Sequence, residues 1–370
     1  MQRRYDWIVV GAGIIGSLTA WRLCQAHLRV ALVDAGPPGQ KASGAAAGIL
    51  SPSAEVLAPG AMASLARASL HRYPDTVAEL VDDAGMDVAY EMTGVVQTAW
   101  TDEEVTELRT RWEWQRDWGV RWVEGREAER LTSGDWPVQA VIVAENEGQV
   151  HPPQLVAAAV RAGAHRGVAR FFGKPARLVV EGSRAVGVSL PDETLWADGG
   201  IIVATGAWSG LLFQDLGLHL PVEPVRGQIA SFTVEVPWLR RILFHGHTYA
   251  VPKRDGRLVI GATEDSVGFD DRVTAAGLTR LGRILENLRL PLDELHLERI
   301  WAGLRPRSAD GLPVLGPWPG YAGLYLATGH FRNGVLLAPI TADVVTDWVL
   351  GRKSTVDLTP FAPGRFAALP

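Results

Sequence analysis

The chain has 370 residues, 47% hydrophobic and 21% charged, with a formal net charge of -5, which is typical of a globular enzyme of two or three domains. The acidic balance excludes the basic surface that binding to nucleic acid requires, and no apolar run reaches the ~20 residues of a membrane span. The single cysteine, Cys24, excludes an internal disulfide framework and a cysteine-based zinc site, so we expect a cytoplasmic protein without a bound metal.

The first element is a nucleotide-binding βαβ unit. The apolar strand Trp7–Val10 runs into Gly11-Ala12-Gly13-Ile14-Ile15-Gly16, which is followed by a helical pattern and a second strand, Val30–Val33. Asp34 ends that strand, close to the spacing at which an acid meets the ribose hydroxyls of a dinucleotide. The glycines allow a tight turn, close approach of the pyrophosphate, and close packing of the helix on the strand. An acid at this position would repel a 2′-phosphate, which disfavours NADP.

Two later segments favour FAD over NAD. Gln40–Pro52 is rich in tiny residues and has neither helical nor strand periodicity, which suits backbone wrapped closely around a large flat ligand or, alternatively, a flexible loop. Gly200–Val203 reads as a buried strand that breaks into a glycine turn at Gly206, as a strand of the same sheet would at its carboxyl end. A second nucleotide-facing turn so far along the chain is more typical of an FAD site.

The middle of the chain is predicted to be mixed, and then rich in strands. Strand-like residues 93–98 precede a tryptophan-rich helical stretch from Glu103 to Trp118, and His151-Pro-Pro-Gln-Leu155 opens an alanine-rich helix. Several strands are expected between Val225 and Thr263. The next helix, Thr274–Leu288, has an apolar stripe formed by Leu278, Leu281, Ile284, Leu285 and Leu288.

Two arginines near the C-terminus stand among glycine and apolar residues. Arg305 lies in Trp301-Ala-Gly-Leu-Arg305-Pro306, and Arg332 lies in Gly329-His-Phe-Arg332-Asn333-Gly334. A guanidinium is always charged and binds a carboxylate in bidentate fashion, so each is a candidate for recognition of a small acid. The alternative is that each pairs with an internal Asp or Glu.

These segments together resemble the D-amino acid oxidase family of FAD-dependent oxidoreductases, and within it the glycine oxidases. The resemblance covers nearly the whole chain and is carried by the βαβ unit and by Ala45–Leu50, Val203–Ser209, Tyr249–Pro252, Gly261–Thr263 and the two arginine motifs. It implies an α/β plus α+β fold, in which a Rossmann-type FAD-binding domain is assembled from discontinuous segments around an inserted β-rich substrate domain. We assign residues 1–85, 151–217 and 300–370 to the FAD-binding domain, and residues 86–150 and 218–299 to the substrate-binding domain.

The resemblance also implies roles for four site residues. Arg305 would bind the substrate carboxylate and orient the substrate for hydride transfer, and the hydroxyl of Tyr249 would cover the same carboxylate. His247 is expected to point to the same face as Tyr249, because side chains alternate along a strand. Arg332 would either orient the substrate beside Arg305 or hold backbone on the flavin side.

The cofactor implied by the resemblance is non-covalent FAD, because the only cysteine lies in the first helix. A helix over Val335–Leu350, with Pro339 near its start, would direct its positive N-terminal end toward the flavin. The residues predicted to contact FAD are Gly11, Gly13, Ile14, Ile15, Gly16, Asp34, Ser43, Ala46, Ala47, Gly48, Ala176, Thr205, Gly206, Trp208, Arg332, Asn333, Gly334, Val335 and Leu336.

The implied reaction is oxidative deamination of glycine, and of sarcosine or other small amines, to the imine and then glyoxylate, with release of ammonia and hydrogen peroxide. Molecular oxygen would be the acceptor, the product would supply the thiazole branch of thiamine biosynthesis through a hand-off to thiazole synthase, and the assembly would be a homo-oligomer, a tetramer by resemblance. The alternatives are an oxidase or dehydrogenase of D-amino acids or N-methyl amino acids and, more remotely, a non-catalytic flavin-binding protein. Glu264 stands where some glycine oxidases have an apolar residue near the substrate, which leaves the substrate range open.

Overall fold

The computed structural model describes residues 3–132, 138–234 and 239–366. In chain order the strands are β1 (Arg3–Val10), β2 (Val30–Asp34), β3 (Ile49–Leu50), β4 (Val95–Ala99), β5 (Val120–Glu124), β6 (Ala140–Ala144), β7 (Gly148–Gln149), β8 (Ala169–Phe172), β9 (Arg177–Glu181), β10 (Arg184–Ser189), β11 (Thr194–Val203), β12 (Val222–Thr233), β13 (Ile242–His245), β14 (Thr248–Pro252), β15 (Arg257–Gly261), β16 (His296–Ser308), β17 (Val314–Pro317) and β18 (Leu324–Thr328).

The α-helices are α1 (Ile14–Gln25), α2 (Ala42–Ala45), α3 (Pro52–Glu55), α4 (Ala61–Ala84), α5 (Asp102–Gln115), α6 (Arg126–Leu131), α7 (Pro152–His165), α8 (Ser209–Gln214), α9 (Ala275–Asn287) and α10 (Ala338–Val349). Among the described residues, no helix combines the length and the apolar character needed to cross a bilayer.

The first sheet carries the glycine-rich turn. Its order is β17-β18-β11-β1-β2-β8, with β10 and β9 added beside β11, and the run from β18 through β8 is parallel. Val9 on β1 packs into one core with α1, α7 and α10, whereas its neighbour Ile8 packs into a second core on the opposite face. Because both faces are covered, the strands are apolar at consecutive positions, which explains the continuous runs in the sequence.

The second sheet carries the two residues predicted to bind substrate. Its order is β16-β12-β15-β14-β13-β4-β6-β5. Strands β12 and β16 pair antiparallel along nearly their whole length, which places Arg305 opposite Val225 and Gly303 opposite Gly227. Tyr249 on β14 pairs with Gly261 on β15. The pairing therefore brings distant parts of the chain to one surface of the sheet.

Several sequence predictions agree with these elements. The βαβ unit corresponds to β1, α1 and β2, the proline-led helix to α7, and the strand before Gly206 to the end of β11. The division into domains stays a prediction, and its boundary between residues 299 and 300 falls inside β16, which remains paired with β12 on both sides of that point.

Two local predictions, on Leu278 and on the start of the last helix, were wrong. Residues 40–52, which have no helical or strand periodicity in the sequence, contain the short elements α2 and β3 and the first residue of α3, where Ser51 caps the helix by accepting from the Ala54 amide at 3.2 Å. That this segment surrounds a large flat ligand stays a prediction. Leu278 of α9 is 49% exposed and does not join the buried stripe.

The last helix, α10, begins at Ala338 rather than at Val335. Pro339 has no N–H to donate to the carbonyl of Val335, which a helix starting there would require. That carbonyl instead accepts from the hydroxyl of Tyr73 at 2.5 Å, and the carbonyl of Leu336 accepts from Ser69 Oγ at 2.6 Å. Contacts from α4 therefore hold the residues before α10 in a turn.

Candidate active site

Two glycines of the glycine-rich turn, Gly11 and Gly16, stand where a side chain would not fit. Gly11 has φ +108°, and a Cβ there would lie 2.3 Å from the carbonyl oxygen of Ala204. A Cβ on Gly16 would lie 1.8 Å from the carbonyl oxygen of Gly11. These contacts hold α1 close to the carboxyl ends of the paired strands β1 and β11, so the first turn of the helix reaches that edge of the sheet.

The N-terminus of α1 is suited to an anionic group. Its N-cap residue, Gly13, contributes no side chain, and the first turn contains no acidic residue. The amide of Ile14 donates to Ser43 Oγ at 3.0 Å. The positive end of the helix is therefore not balanced by an acid of its own first turn, an arrangement that stabilises a pyrophosphate.

Asp34 lies at the end of β2 beside this turn. Its two carboxylate oxygens accept from the amides of Ala12 at 2.6 Å and Gly36 at 2.8 Å. Each oxygen keeps a further lone pair, and the residue lines the adjacent cavity. Asp34 thus orders the glycine-rich turn and remains available to a ribose hydroxyl.

One cavity of about 640 Å³ extends from the glycine-rich turn to the two arginines. All the residues predicted to contact FAD line it except Gly16, Asn333 and Leu336. Gly16 packs on Gly11, and Leu336 is buried in the core, only 1% exposed. A long cavity with an anion site at one end and cations at the other fits an extended dinucleotide cofactor together with a small acid.

Cys24 lies outside this cavity lining. It is buried in α1, where its Sγ donates to the carbonyl of Leu28 at 3.4 Å, and burial raises the pKa of its thiol. A raised pKa disfavours the nucleophilic thiolate. Both observations agree with a flavin that is not tethered through cysteine.

Arg305 enters the cavity from β16 across the surface of Gly227. A Cβ on Gly227 would lie 2.3 Å from Arg305 Nη1, so the guanidinium occupies the space that only a glycine leaves. Nη1 donates to the carbonyl of Thr263 at 3.1 Å. Among the described residues, no carboxylate lies within 4.0 Å of this guanidinium, and burial lowers its pKa from the ordinary value. A buried guanidinium with these partners is suited to an anionic ligand.

Tyr249 lies next to Arg305 and lines the same cavity. It is 5% exposed on β14, and burial raises the pKa of its phenol, while Arg305 and Arg332 oppose that rise. The hydroxyl is therefore neutral near pH 7 and can donate a hydrogen bond to an acid held by Arg305.

Arg332 already has a carboxylate partner, Glu55, whose identity was not predicted from the sequence. Its Nε lies 3.0 Å from Glu55 Oε2, and its Nη2 lies 3.5 Å from Glu55 Oε1. Their side chains are only 13% and 9% exposed, and Glu55 raises the pKa of the guanidinium. The alternative of an internal acidic partner, left open for both arginines, therefore holds for Arg332 alone.

His247 does not lie on a strand, so the alternation argument used for it was wrong. It is an exposed residue of the turn between β13 and β14, and it is not part of the cavity lining. Its carbonyl oxygen, rather than its ring, approaches the site by accepting from Arg332 Nη2 at 3.1 Å. The turn arises because His245 pairs directly with Thr248, which leaves Gly246 and His247 as a two-residue hairpin loop.

Glu264 lies outside the cavity lining, near its arginine-containing end. Its side chain is 43% exposed and lies 3.9 Å from Arg332 Nη1 and 3.8 Å from Arg307 Nη1. The acid is thus shared between two guanidiniums in a solvated position, where screening makes each pairing weak.

Known proteins similar to this chain match it over almost its full length. The sequence model of the family described as FAD dependent oxidoreductase matches residues 6–348. Glycine oxidase from Bacillus licheniformis is 33% identical over 353 residues, covering 95% of this chain and 94% of that protein. Bifunctional protein ThiO/ThiG from Synechocystis is 34% identical over 387 residues, covering 99% of this chain and 55% of that protein. The crystal structure of glycine oxidase from Geobacillus kaustophilus has a TM-score of 0.92 at 32% identity and covers 98% of both chains.

These similarities confirm the resemblance, the fold class and the FAD cofactor predicted from the sequence. The cavity independently fits that cofactor, because it is lined by the N-terminus of α1, whose first turn has no acid, and by Asp34, the two features that a dinucleotide site requires. The roles of individual site residues stay predictions.

Proposed function

The chain belongs to the family of FAD-dependent oxidoreductases, and on that premise we propose that it oxidises small amino acids, with glycine as its principal substrate. The observation that carries this proposal is Arg305, a guanidinium without a carboxylate partner among the described residues, in the cavity that also reaches the glycine-rich turn. Such a charge fits the carboxylate of an amino acid.

Residues around the substrate would then act by binding and orientation. Arg305 would hold the carboxylate in a fixed position, and Tyr249 would donate a hydrogen bond to it. FAD, when bound, supplies the two-electron oxidation and returns the electrons to oxygen as hydrogen peroxide. Glycine, oxygen and water would thereby give glyoxylate, ammonia and hydrogen peroxide. The nearby positive charges lower the pKa of a bound amine, which favours the neutral form that gives up hydride.

The cofactor would be held mainly by backbone. The first turn of α1 and the amides of the glycine-rich turn would bind the pyrophosphate, and Asp34 would accept from a ribose hydroxyl. The end of β11 and the turn before α10 would close the cavity around the flavin end. Asn333 and Leu336 belong to that turn and would act through its conformation rather than by direct contact.

The proposal extends to a biosynthetic role. The similarity to a bifunctional protein ThiO/ThiG supports a link with thiazole formation, in which the imine or glyoxylate passes to a thiazole synthase. A homo-oligomeric assembly and a cytoplasmic location are further parts of this proposal, taken from the family resemblance and the single cysteine.

Anaerobic mixing of the FAD-loaded protein with glycine, sarcosine and D-alanine tests the function directly. We expect glycine to bleach the visible absorbance of the oxidised flavin, and readmitted oxygen to restore it with formation of hydrogen peroxide. Faster bleaching by D-alanine than by glycine would favour the D-amino acid alternative. Absence of bleaching with all three would refute the oxidase. Colour that returns only with a dye or quinone, and not with oxygen, would indicate a dehydrogenase.

A further inference from the structure

The substrate end of the cavity contains two guanidiniums in different electrostatic states. Arg305 and Arg332 are close enough for each charge to act on the other, because Arg332 contributes to the lowered pKa of Arg305. Arg305 has a carbonyl partner, Thr263, and no carboxylate of the described residues within 4.0 Å. Arg332 is engaged through two nitrogens by Glu55. Among the described residues, Arg305 is therefore the one of these two cations that has no carboxylate partner.

Glu55 is held in place by contacts that do not involve a ligand. It is the last residue of α3, whose start is capped by Ser51 Oγ. The carboxylate of Glu147, which is buried, accepts from the Ser53 amide at 2.9 Å and from Ser53 Oγ at 2.7 Å. These bonds hold the short helix α3 in place through Ser51 and Ser53. Glu55 therefore contacts Arg332 without the help of a bound substrate.

This arrangement determines how a second carboxylate on a ligand would be received. A ligand held by Arg305 that extended an acidic group toward Arg332 would meet the carboxylate of Glu55 in a site where both side chains are largely buried. Like charges placed together in such a site repel strongly. Glu264 lies farther from Arg332, at 3.9 Å, and is 43% exposed, so its field is better screened.

We propose that Glu55 is a specificity-determining residue that restricts the substrates to amines carrying a single carboxylate. The proposal rests on the proposed function and adds a substrate class to it. An amine such as glycine satisfies Arg305 and leaves the pair between Glu55 and Arg332 intact. An amino acid with a second carboxylate, such as iminodiacetate, has to break that pair or approach Glu55 unpaired.

The test compares iminodiacetate with its monoamide, which has almost the same shape but lacks the second charge. Each compound is added anaerobically to the FAD-loaded protein, and its half-saturating concentration is read from the flavin spectrum, whether it shifts the bands by binding or bleaches them by reduction. For the wild-type protein we expect half-saturation by iminodiacetate to need about 100-fold more ligand than half-saturation by the monoamide. In Glu55→Gln we expect this ratio to fall below about tenfold, chiefly because iminodiacetate binds more tightly.

Glu264→Gln is the matched control, because it removes the other acid near Arg332, and it should keep the wild-type ratio. Glu55→Asp, which retains the charge, should also keep it. Equal half-saturation of the wild-type protein by the two compounds would overturn the proposal without any variant, even if Glu55→Gln fails to fold. Failure of both compounds to bind would show that size rather than charge excludes them, and it would also overturn the proposal. An unchanged ratio in Glu55→Gln would overturn the proposal as well. Bleaching by glycine in the same experiment separates these results from failure of the proposed function.

Discussion

Replacing Arg305 by methionine should abolish productive substrate binding while leaving the cofactor in place. Among the residues that the structure describes, the guanidinium donates to one acceptor, the carbonyl of Thr263, so the folded protein loses little when it is removed. A bound carboxylate, in contrast, would lose a charge-assisted bidentate partner in a site shielded from water. Truncating one member of such a pair costs about 2 to 5 kcal/mol, which corresponds to roughly 30-fold to 4000-fold in kcat/KM.

The assay is the rate of anaerobic flavin reduction as a function of glycine concentration, together with the FAD content of the purified variant. Arg299→Met is the control, because it removes an exposed arginine of the same strand that stacks on Trp301 and should leave both quantities unchanged. Arg305→Lys should give an intermediate loss, since an ammonium keeps the charge but not the planar fork. A value of kcat/KM for Arg305→Met within tenfold of wild type would refute the assignment, and loss of FAD would place Arg305 at the cofactor instead.

Two further changes test the surroundings of the site. Gly227→Ala should weaken glycine binding by at least about tenfold with FAD retained, because the added Cβ would lie 2.3 Å from Arg305 Nη1. Gly282→Ala is the control, because a Cβ at that position would have no atom within 4 Å, and it should behave as wild type in the same titration. Burial raises the pKa of Glu147 to about 7, so the folded state holds this proton more tightly than the unfolded chain does. Stability should therefore fall by about 3 kcal/mol as pH rises from roughly 4.5 to 7. Denaturant unfolding at several pH values should show a flatter profile for Glu147→Gln, and an identical profile would contradict the buried assignment.

The first half of the nucleotide site could be predicted from the sequence because its determinants are local. The strand, the glycines and the helix of the βαβ unit follow one another directly. Gly16 is required by a contact within that unit, and Gly11 by a contact with Ala204, the residue that follows β11. The βαβ unit could be predicted from adjacent residues because its conformation is determined largely by contacts among those residues.

The substrate end depended on pairings that no local pattern contains. Arg332 and Glu55 are 277 residues apart, and Glu55 follows a segment that the sequence suggested was without regular structure. The Ser51-Pro52 pair was an available indication of a helix start, since serine caps and proline favours the first helical position. For His247, the glycine that precedes it was an available indication of a hairpin turn. The first indication was given less weight than the composition of Gln40–Pro52, which is rich in tiny residues. The second was given less weight than the alternation of side chains expected along a strand.

Two arginines in similar sequence surroundings thus acquire different chemistry from the fold. The pairing of β12 with β16 places Arg305 on the surface of a glycine, where the chain supplies a carbonyl and no described carboxylate. The turn before α10 places Arg332 against the end of α3, where the chain supplies an acid. A guanidinium withdrawn from water without an opposite charge is unfavourable for the folded state, so an uncompensated one persists only where a ligand completes it. The absence of a carboxylate partner among the described residues, rather than the presence of an arginine, is therefore what identifies Arg305 as the candidate substrate-binding residue.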